Sequence, residues 1–417
     1  MNYGLIGEKL GHSFSAQIHD QLFGYAYELK ELAPSELEPF LRKRSFKAIN
    51  VTAPYKEAVI PFLDVIDEVA HQIGAVNTIV HRDGKLCGYN TDFDGLLGMI
   101  ERSGMTIRGK KVLILGSGGT SKTAMAVVRQ MGCASIYRVS RTAKEGCITY
   151  ADAQTIHADA QILINATPCG MYPHSGNSPI SLESFSRLEG VVDVIYNPLR
   201  TKLVCDALKL GVPAVNGLFM LVKQAASAAE YFVNRKVSQD KIESIYYHLL
   251  SAKQNIVLVG MPGCGKSTIG RRLAEMLQRP FVDTDDLIEQ RAGRSIKDLF
   301  LEIGEHGFRD YESAVISDAA TLQGAVIATG GGAVLRAENV QKLQENGYIY
   351  FLDRSLSLLD PSIDRPLSSN ASDLQKRYDE RYPIYNAACD MRIMADKDPE
   401  EVANTIREDY CNENLGN

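Results

Sequence analysis

The segment GMPGCGKS, from Gly260 to Ser267, carries the residue types of a phosphate-binding loop at every fixed position. Its glycines let backbone N–H groups turn toward phosphate oxygens, Lys266 has the reach for the β and γ oxygens, and the Ser267 hydroxyl suits Mg²⁺. The apolar run NIVLV precedes it and the helical stretch STIGRRLAEMLQ follows. That strand-loop-helix setting separates a nucleotide cradle from a glycine-rich bend without function. Gly260, Gly263, Cys264, Gly265, Lys266, Ser267 and Thr268 are thus the expected ATP contacts, with Ser267 on the metal. Cys264 reads as a small residue tolerated in the loop, since a reactive thiol needs an activating environment of its own.

A phosphate loop specifies a nucleoside triphosphate and leaves the acceptor open. Downstream, FVDTDD sets Asp283 and Asp285 two residues apart, which places both carboxylates on one side of an extended strand end. There one serves Mg²⁺ through water and the other an acceptor hydroxyl. A solvated acidic turn is the alternative. GFRDYE supplies Arg309 and Glu312 at helical spacing, at which the carboxylate steadies the guanidinium, although alone such a pair is more often a surface ion pair. Gly330, Gly331 and Gly332 close the run AVIAT, and consecutive residues without side chains suit close approach of backbone to a ligand.

A second glycine-rich turn lies in KKVLILGSGGTSKTAMAVVRQMG. Gly116, Gly118 and Gly119 end a strand pattern and open a helix pattern, as a dinucleotide site requires, with Ser121 in the third glycine position. The next strand pattern, SIYRV, ends in Ser140, Arg141 and Thr142, where an NAD site wants an acidic residue for the ribose. Arginine there favours the 2′-phosphate of NADP; a surface arginine on a turn is the alternative.

These residues need elements to hold them. Apolar runs of strand length (VLILG, QILINAT, GVVDVIY, NIVLVG, AVIATGG, YIYFL) alternate with helical periodicity, the pattern of parallel sheets wound with helices. The class is α/β throughout. A length of 417 residues with 45% hydrophobic content predicts two or three domains. The formal net charge of −6 leaves no basic stripe for a run of phosphates, which argues against nucleic acid and for small-molecule substrates. The 8 cysteines lack paired metal-ligand spacing, so a reducing cytoplasm without structural zinc is expected. The chain has neither a signal-peptide pattern nor an apolar run of spanning length, which predicts a soluble cytoplasmic protein with no membrane partner. The polar stretch VNRKVSQDKIES, 233–244, is helical in pattern and separates the two groups of motifs, with the boundary expected near Ser251 to Gln254. Another break is expected from Gly104 to Gly109. Monomer and homodimer are both open.

GMPGCGKST, FVDTD, GFRDYE, ATGGG, DRPL and ERYPIY together resemble the shikimate kinases in order and spacing over residues 254–395, within an expected P-loop kinase domain with a parallel sheet at 254–417. The resemblance implies that Asp285 orients or deprotonates the acceptor hydroxyl and that Asp283 joins Ser267 at Mg²⁺. It further implies that Arg309 and Arg381 grip the shikimate carboxylate, that Gly330 to Gly332 line the substrate, and that Arg365 belongs to a lid over ATP. Planar bidentate donors match a carboxylate. In that family an arginine between the YIYFL strand and the lid usually packs on adenine; this chain reads DRSLSLLDPSID there, with Arg354 as the nearest candidate.

GHSFS, INVTAPYKEAV, GAVNT, GYNTDFDG, NATPCGM, DVIYNP and NGLFMLVKQA resemble the shikimate dehydrogenases from Asn2 to about Arg235. That likeness implies a substrate-binding α/β domain from 1–103, completed by 217–245, with a Rossmann-like NADP domain at 104–216 between them. Ser13, Ser15, Thr52, Asn77 and Gln224 would hydrogen-bond the ring's hydroxyls and carboxylate, and Tyr196 would flank nicotinamide or substrate. Each alone is a cap, turn or core residue. Lys56 and Asp92 are the implied reacting pair: the ammonium gives a proton to the ketone oxygen of 3-dehydroshikimate while Asp92, just before an apparent helix, holds lysine and substrate in register. The joint expectation is reduction of 3-dehydroshikimate with NADP(H), then phosphorylation of shikimate with ATP and Mg²⁺. The rival is an NAD-dependent quinate/shikimate dehydrogenase fused to an ATP-sensing module without catalysis.

Overall fold

A computed structural model describes residues 1–11, 14–142, 145–359 and 371–415. Two compact units divide the chain, Met1–Tyr246 and Tyr247–Asn417, several residues before the expected boundary at 251–254. Of the polar stretch 233–244, Val233 ends one helix and the part from Gln239 begins the next, Gln239–Lys253. The preceding helix, Leu218–Val233, stops at Asn234, whose left-handed backbone (φ 54°) ends it where polar residues replace its apolar face.

The first unit holds two sheets. Its N-terminal sheet comprises Tyr3–Gly7 (β1), Tyr27–Glu31 (β2), Ala48–Val51 (β3), Val65–Ile66 (β4), Thr78–Arg82 (β5) and Lys85–Tyr89 (β6), in the order β2-β1-β3-β5-β6-β4. The apolar runs read as parallel sheet lie in the other two sheets; here β5 runs antiparallel to both β3 and β6. The reason is local: Asp83 and Gly84 both take positive φ, 51° and 76°, the turn that joins adjacent strands as a hairpin. Ile6, Ile49, Val51, Ile79 and Leu86 form a fully shielded core beneath this sheet.

The second sheet comprises Lys111–Leu115 (β7), Ser135–Val139 (β8), Cys147–Ile148 (β9), Ile162–Asn165 (β10), Gly190–Asp193 (β11) and Ala214–Val215 (β12), in the order β12-β11-β10-β7-β8-β9. Every pairing in it is parallel. The order reverses at β7, and in such sheets ligands lie at the carboxyl ends of the strands beside that reversal. The helix Thr91–Arg102 packs on Leu218–Val233 so closely that a Cβ on Gly95 would come within 2.7 Å of the Met220 carbonyl oxygen.

The second unit is built on Asn255–Val259 (β13), Phe281–Asp283 (β14), Val326–Ala328 (β15), Gly347–Asp353 (β16) and Met391–Met394 (β17), all parallel in the order β14-β15-β13-β16-β17. Central β13 is buried at every residue, which explains its unbroken apolar run. Among the described residues no helix is long and apolar enough to cross a membrane.

Candidate functional sites

In the first unit the site is a cavity of about 260 Å³ at the ends of both sheets, lined by Ser15, Asn50, Thr52, Lys56, Asn77, Asp92, Tyr196 and Gln224 among others. Lys56 Nζ donates to Asp92 Oδ2 at 2.6 Å and Asn77 Nδ2 to Asp92 Oδ1 at 2.8 Å. Asp92 does not precede its helix, as its sequence context suggests, but sits inside the first turn of Thr91–Arg102; Asn90 takes the cap position because its backbone is the last outside helical geometry. The Asp92 carboxylate is therefore aimed by the helix start and leaves the capping role unused. Asn77 is itself locked: its Oδ1 accepts from the Thr91 N–H at 2.7 Å and from the Thr78 hydroxyl at 3.1 Å, which turns its amide nitrogen toward Asp92.

Ser15 opens the helix Ser15–Phe23, and Gln224 projects from Leu218–Val233 with its amide nitrogen on the Leu221 carbonyl at 2.9 Å. Tyr196 follows β11, its ring edge-on to Phe14 at 6.3 Å, and burial raises its phenol pKa. Ser13 lies outside the described residues. Asn50, Thr120 and Met220 also line the cavity and were not anticipated. Two had a signal: Asn50 is two before Thr52 on strand-like sequence, hence on its face, and Met220 is one helical turn before Gln224.

The glycine loop after β7 faces open space. Gly116 has φ 113°, a conformation that demands glycine, and a Cβ there would lie 3.0 Å from the Ala166 carbonyl oxygen. Cβ atoms on Gly118 or Gly119 would meet nothing within 4 Å, so the backbone that opens the helix Gly119–Gln130 is bare on its outer side. Such a cradle fits a pyrophosphate. Ser140, Arg141 and Thr142 follow β8, the next strand, with Ser140 buried and Arg141 exposed. These three supply hydroxyls and a guanidinium where a bare ribose would be met by a carboxylate, a donor set that fits a 2′-phosphate better.

The second unit presents a cavity of about 590 Å³ lined by Asp285, Arg309, Glu312, Gly330, Gly331, Gly332, Arg377 and Arg381, together with Pro262 of the phosphate loop. The strand β14 ends at Asp283 and the helix Thr284–Ala292 begins at once. The expected extended placement of Asp283 and Asp285 is thus wrong: Asp283 caps this helix by accepting from the Asp285 N–H at 3.0 Å, and Asp285 lies in its first turn. The helix start directs the two carboxylates to different tasks. Asp283 Oδ2 accepts from Ser267 Oγ at 2.5 Å, which brings together a hydroxyl and a carboxylate suited to a hard cation such as Mg²⁺. Asp285 instead reaches the glycine run, where a Cβ on Gly330 would sit 2.6 Å from its Oδ1.

Arg309 Nη1 donates to Glu312 Oε2 at 2.7 Å, and Glu312 is 1% exposed; burial, more than Asp285 nearby, pushes its pKa up against the pull of Arg309. A side chain on Gly332 would collide with the Arg309 guanidinium, and one on Gly331 would come within 2.7 Å of the Pro262 ring. The glycine run is therefore the partition between phosphate loop and acceptor cavity. Arg381 Nη1 and the Tyr385 hydroxyl converge on the Gly331 carbonyl at 2.9 and 2.5 Å. Tyr385 and Arg377 were not anticipated, though Arg377 is one helical turn before Arg381.

Within the phosphate loop, Gly260, Gly263 and Gly265 take φ of 150°, 81° and 97°. Lys266 and Ser267 open the helix Lys266–Leu277, with Thr268 next. Lys266 Nζ donates to the carbonyls of Gly260 and Met261 at 3.0 and 2.9 Å, within the loop itself. Cys264 is fully buried with its sulfur 3.8 Å from that ammonium. Arg354 approaches the loop, its Nη1 3.7 Å from where a Gly265 Cβ would be. Arg365 lies outside the described residues.

Comparison with known proteins separates the same two regions. The family model described as shikimate dehydrogenase substrate binding domain matches residues 5–79, and the shikimate kinase family model matches 262–411. Shikimate dehydrogenase (NADP(+)) of Clostridium perfringens (strain SM101 / Type A) is 36% identical over 265 residues, covering 59% of this chain and 97% of the relative. Its counterpart in Bacillus cereus (strain ATCC 10987 / NRS 248) is 35% identical, covering 58% and 96%. Among solved structures, a chorismate mutase/shikimate 5-dehydrogenase fusion protein from Clostridium acetobutylicum aligns with a TM-score of 0.57 at 35% identity, over 59% of this chain and 96% of its own. Shikimate 5-dehydrogenase from Thermus thermophilus, in complex with NADP(H) and shikimate, aligns at 0.54 and 28%, over 60% and 99%.

Proposed function

Because the chain belongs to the shikimate dehydrogenase family and carries a shikimate kinase domain at residues 262–411, we propose that it performs two consecutive reactions: NADPH-dependent reduction of 3-dehydroshikimate to shikimate, and ATP-dependent phosphorylation of shikimate to shikimate 3-phosphate. The observation that carries the first reaction is the chain Lys56–Asp92–Asn77 on the wall of a cavity that also borders the glycine-loop lobe.

NADPH supplies the hydride when bound, and Gly116, Gly118, Gly119, Ser140, Arg141 and Thr142 are the residues that would hold it. The chain's own work is to place the ketone and manage a proton. Ser15, Thr52, Asn77 and Gln224 offer hydroxyl and amide partners for the ring substituents, and Ser13 belongs with them by the family resemblance. The Lys56 ammonium gives its proton to the ketone oxygen as that oxygen gains negative charge. Asp92, fixed at one oxygen by Asn77, holds the ammonium at the other and so sets the direction of transfer. Tyr196 closes the cavity on the side of the second sheet, and Arg141 selects the 2′-phosphate.

In the kinase, Gly260, Gly263, Gly265, Lys266 and Thr268 cradle the ATP phosphates, with Cys264 packed beneath them. Ser267 and Asp283 would hold Mg²⁺, which neutralises phosphate charge when bound. Arg309, steadied by Glu312, and Arg381 grip the shikimate carboxylate. Asp285 orients the acceptor hydroxyl and takes its proton, while Gly330 to Gly332 let the ring pass close to the backbone. The proposed setting is cytoplasmic, where both nucleotides are supplied.

Purified protein tests this directly. NADPH oxidation on adding 3-dehydroshikimate and ADP release on adding shikimate are both expected. ATP binding without shikimate-dependent ADP release would reduce the second unit to a nucleotide sensor, and oxidation of NADH in preference to NADPH would return the first unit to the quinate-type reading.

A further inference from the structure

One buried carboxylate takes no part in the chemistry above. Asp193, fully shielded from solvent, ends β11, and its register partner on β10 is Asn165, at the carboxyl end of that strand too. Asn165 Nδ2 donates to Asp193 Oδ1 at 3.0 Å, the Ile195 N–H donates to the same oxygen at 3.0 Å, and the Thr201 hydroxyl donates to Oδ2 at 2.6 Å. Each donor belongs to a different piece of chain. Asn165 turns its own Oδ1 to the N–H and hydroxyl of Thr167, at 3.0 and 2.7 Å, and so shapes the turn after β10. That turn abuts Gly116 of the dinucleotide loop, whose missing Cβ would lie 3.1 Å from Thr167 Cγ2. Ile195 sits between Val194 and Tyr196, both on the wall of the Lys56 cavity. Thr201 caps the helix Lys202–Lys209.

We propose that Asp193 is a positioning residue of the dehydrogenase. It ties the 165–167 turn, the 194–196 segment and the start of the following helix to one point, and thereby sets where Tyr196 and the glycine loop stand relative to Lys56. The inference rests on the dehydrogenase reading of this cavity. Three donors converge on the two oxygens of the Asp193 carboxyl group, and burial pushes its pKa up to about 7. An amide or aliphatic side chain of the same size supplies fewer acceptor positions. Residues assigned to the substrate ring, such as Ser15, Thr52 and Asn77, lie on the elements of the first sheet or next to them, so loss of Asp193 reaches the cofactor side first.

The test is Asp193→Ala together with Thr201→Val and Thr201→Ser, assayed in the full chain. Misplacement on the cofactor side predicts that Asp193→Ala lowers the kcat of reduction by about tenfold to a hundredfold and raises KM for NADPH, with KM for 3-dehydroshikimate within about twofold of wild type. Thr201→Val shows a smaller loss of the same kind and Thr201→Ser restores it. Should Asp193→Ala fail to fold, the threonine pair still decides. Unchanged kcat and NADPH KM in the folded variants would overturn the proposal, as would an equal fall in apparent activity at all substrate levels that merely tracks the unfolded fraction. Absence of NADPH-dependent reduction in the wild type would instead count against the dehydrogenase reading itself.

Discussion

Lys56→Met is the sharpest perturbation of the first site because it removes an ammonium while keeping most of the side chain's bulk. The proton it is proposed to deliver is worth about two to four orders of magnitude in kcat, or roughly 3–5 kcal/mol of barrier. The cost to folding is smaller. Lys56 and Asp92 are 2.6 Å apart with side chains 22% and 12% exposed, and Asp92 keeps its bond from Asn77 when the ammonium goes. A charge-assisted bond of about 1.5–3 kcal/mol, discounted for that residual solvent, leaves about 1–2 kcal/mol, a fall of several degrees in the melting of the first unit. The assay is NADPH absorbance under saturating 3-dehydroshikimate, with shikimate-dependent ADP release followed in parallel. Lys56→Arg is the discriminating companion: arginine preserves the ion pair with Asp92 but holds its proton too firmly to donate. Both variants are expected to lose the reduction and keep the phosphorylation. A fall of less than about tenfold in Lys56→Met, or near-normal turnover in Lys56→Arg, would refute the proton-donor assignment.

Asp285→Asn is expected to lower the kcat of phosphorylation by about two to four orders of magnitude with KM for ATP little changed, measured by ADP release, and to spare NADPH oxidation. Arg141→Ala should raise KM for NADPH by about tenfold to a hundredfold and leave KM for NADH where it was, since only the 2′-phosphate contact is lost. Asp193 also gives the first unit a dependence on pH. Its folded pKa of about 7 lies above the ordinary 3.8, so the native state alone carries the proton between those values; the stabilisation is complete below the lower and fades as pH rises through the higher. Urea unfolding of the first unit is expected to weaken by about 3 kcal/mol between roughly pH 5 and pH 8, and Asp193→Asn to flatten that slope. The Cys169 thiol, which burial and this carboxylate both push up, stays neutral across that window.

The sequence was most legible where a backbone requirement leaves few residues to choose from. The glycines of both loops and the apolar runs of β7 and β13 mark strand, turn and helix start without help from tertiary context. Directions of side chains at element ends were less legible. Asp92 and Asp283 are both acidic residues at a helix start, and in both cases the position within the first turn decides the role: Asp283 caps, and Asp92, inside the turn, reaches Lys56. A shift of one residue in the helix start turns a side chain by about a hundred degrees, and patterns place such starts only to within a few residues. The direction of β5 was left unread for another reason. Apolar runs alone do not report strand direction, whereas the Asp83-Gly84 pair between β5 and β6 did, as a hairpin turn. Contacts such as Tyr385 with Gly331 join residues far apart in the chain, and no local pattern announces them.

On the proposed reactions, the two cavities would hold one small ring acid by different means. In the first, the ammonium of Lys56 is already matched by Asp92, so a carboxylate there must be met by neutral donors such as Ser15, Thr52 and Gln224. In the second, Arg309 is matched by Glu312, while Arg377 and Arg381 line the same wall, so guanidinium groups face the cavity although acidic and basic side chains of its lining balance in number. The difference follows from the chemistry each must perform. A reduction needs one proton at one oxygen, and a single ammonium held by one carboxylate supplies it. A phosphoryl transfer brings a second polyanion beside the acid, and its repulsion has to be offset before the two can meet. Glu312 therefore need not be read as weakening the grip: its buried carboxylate, 1% exposed, fixes the Arg309 fork in place.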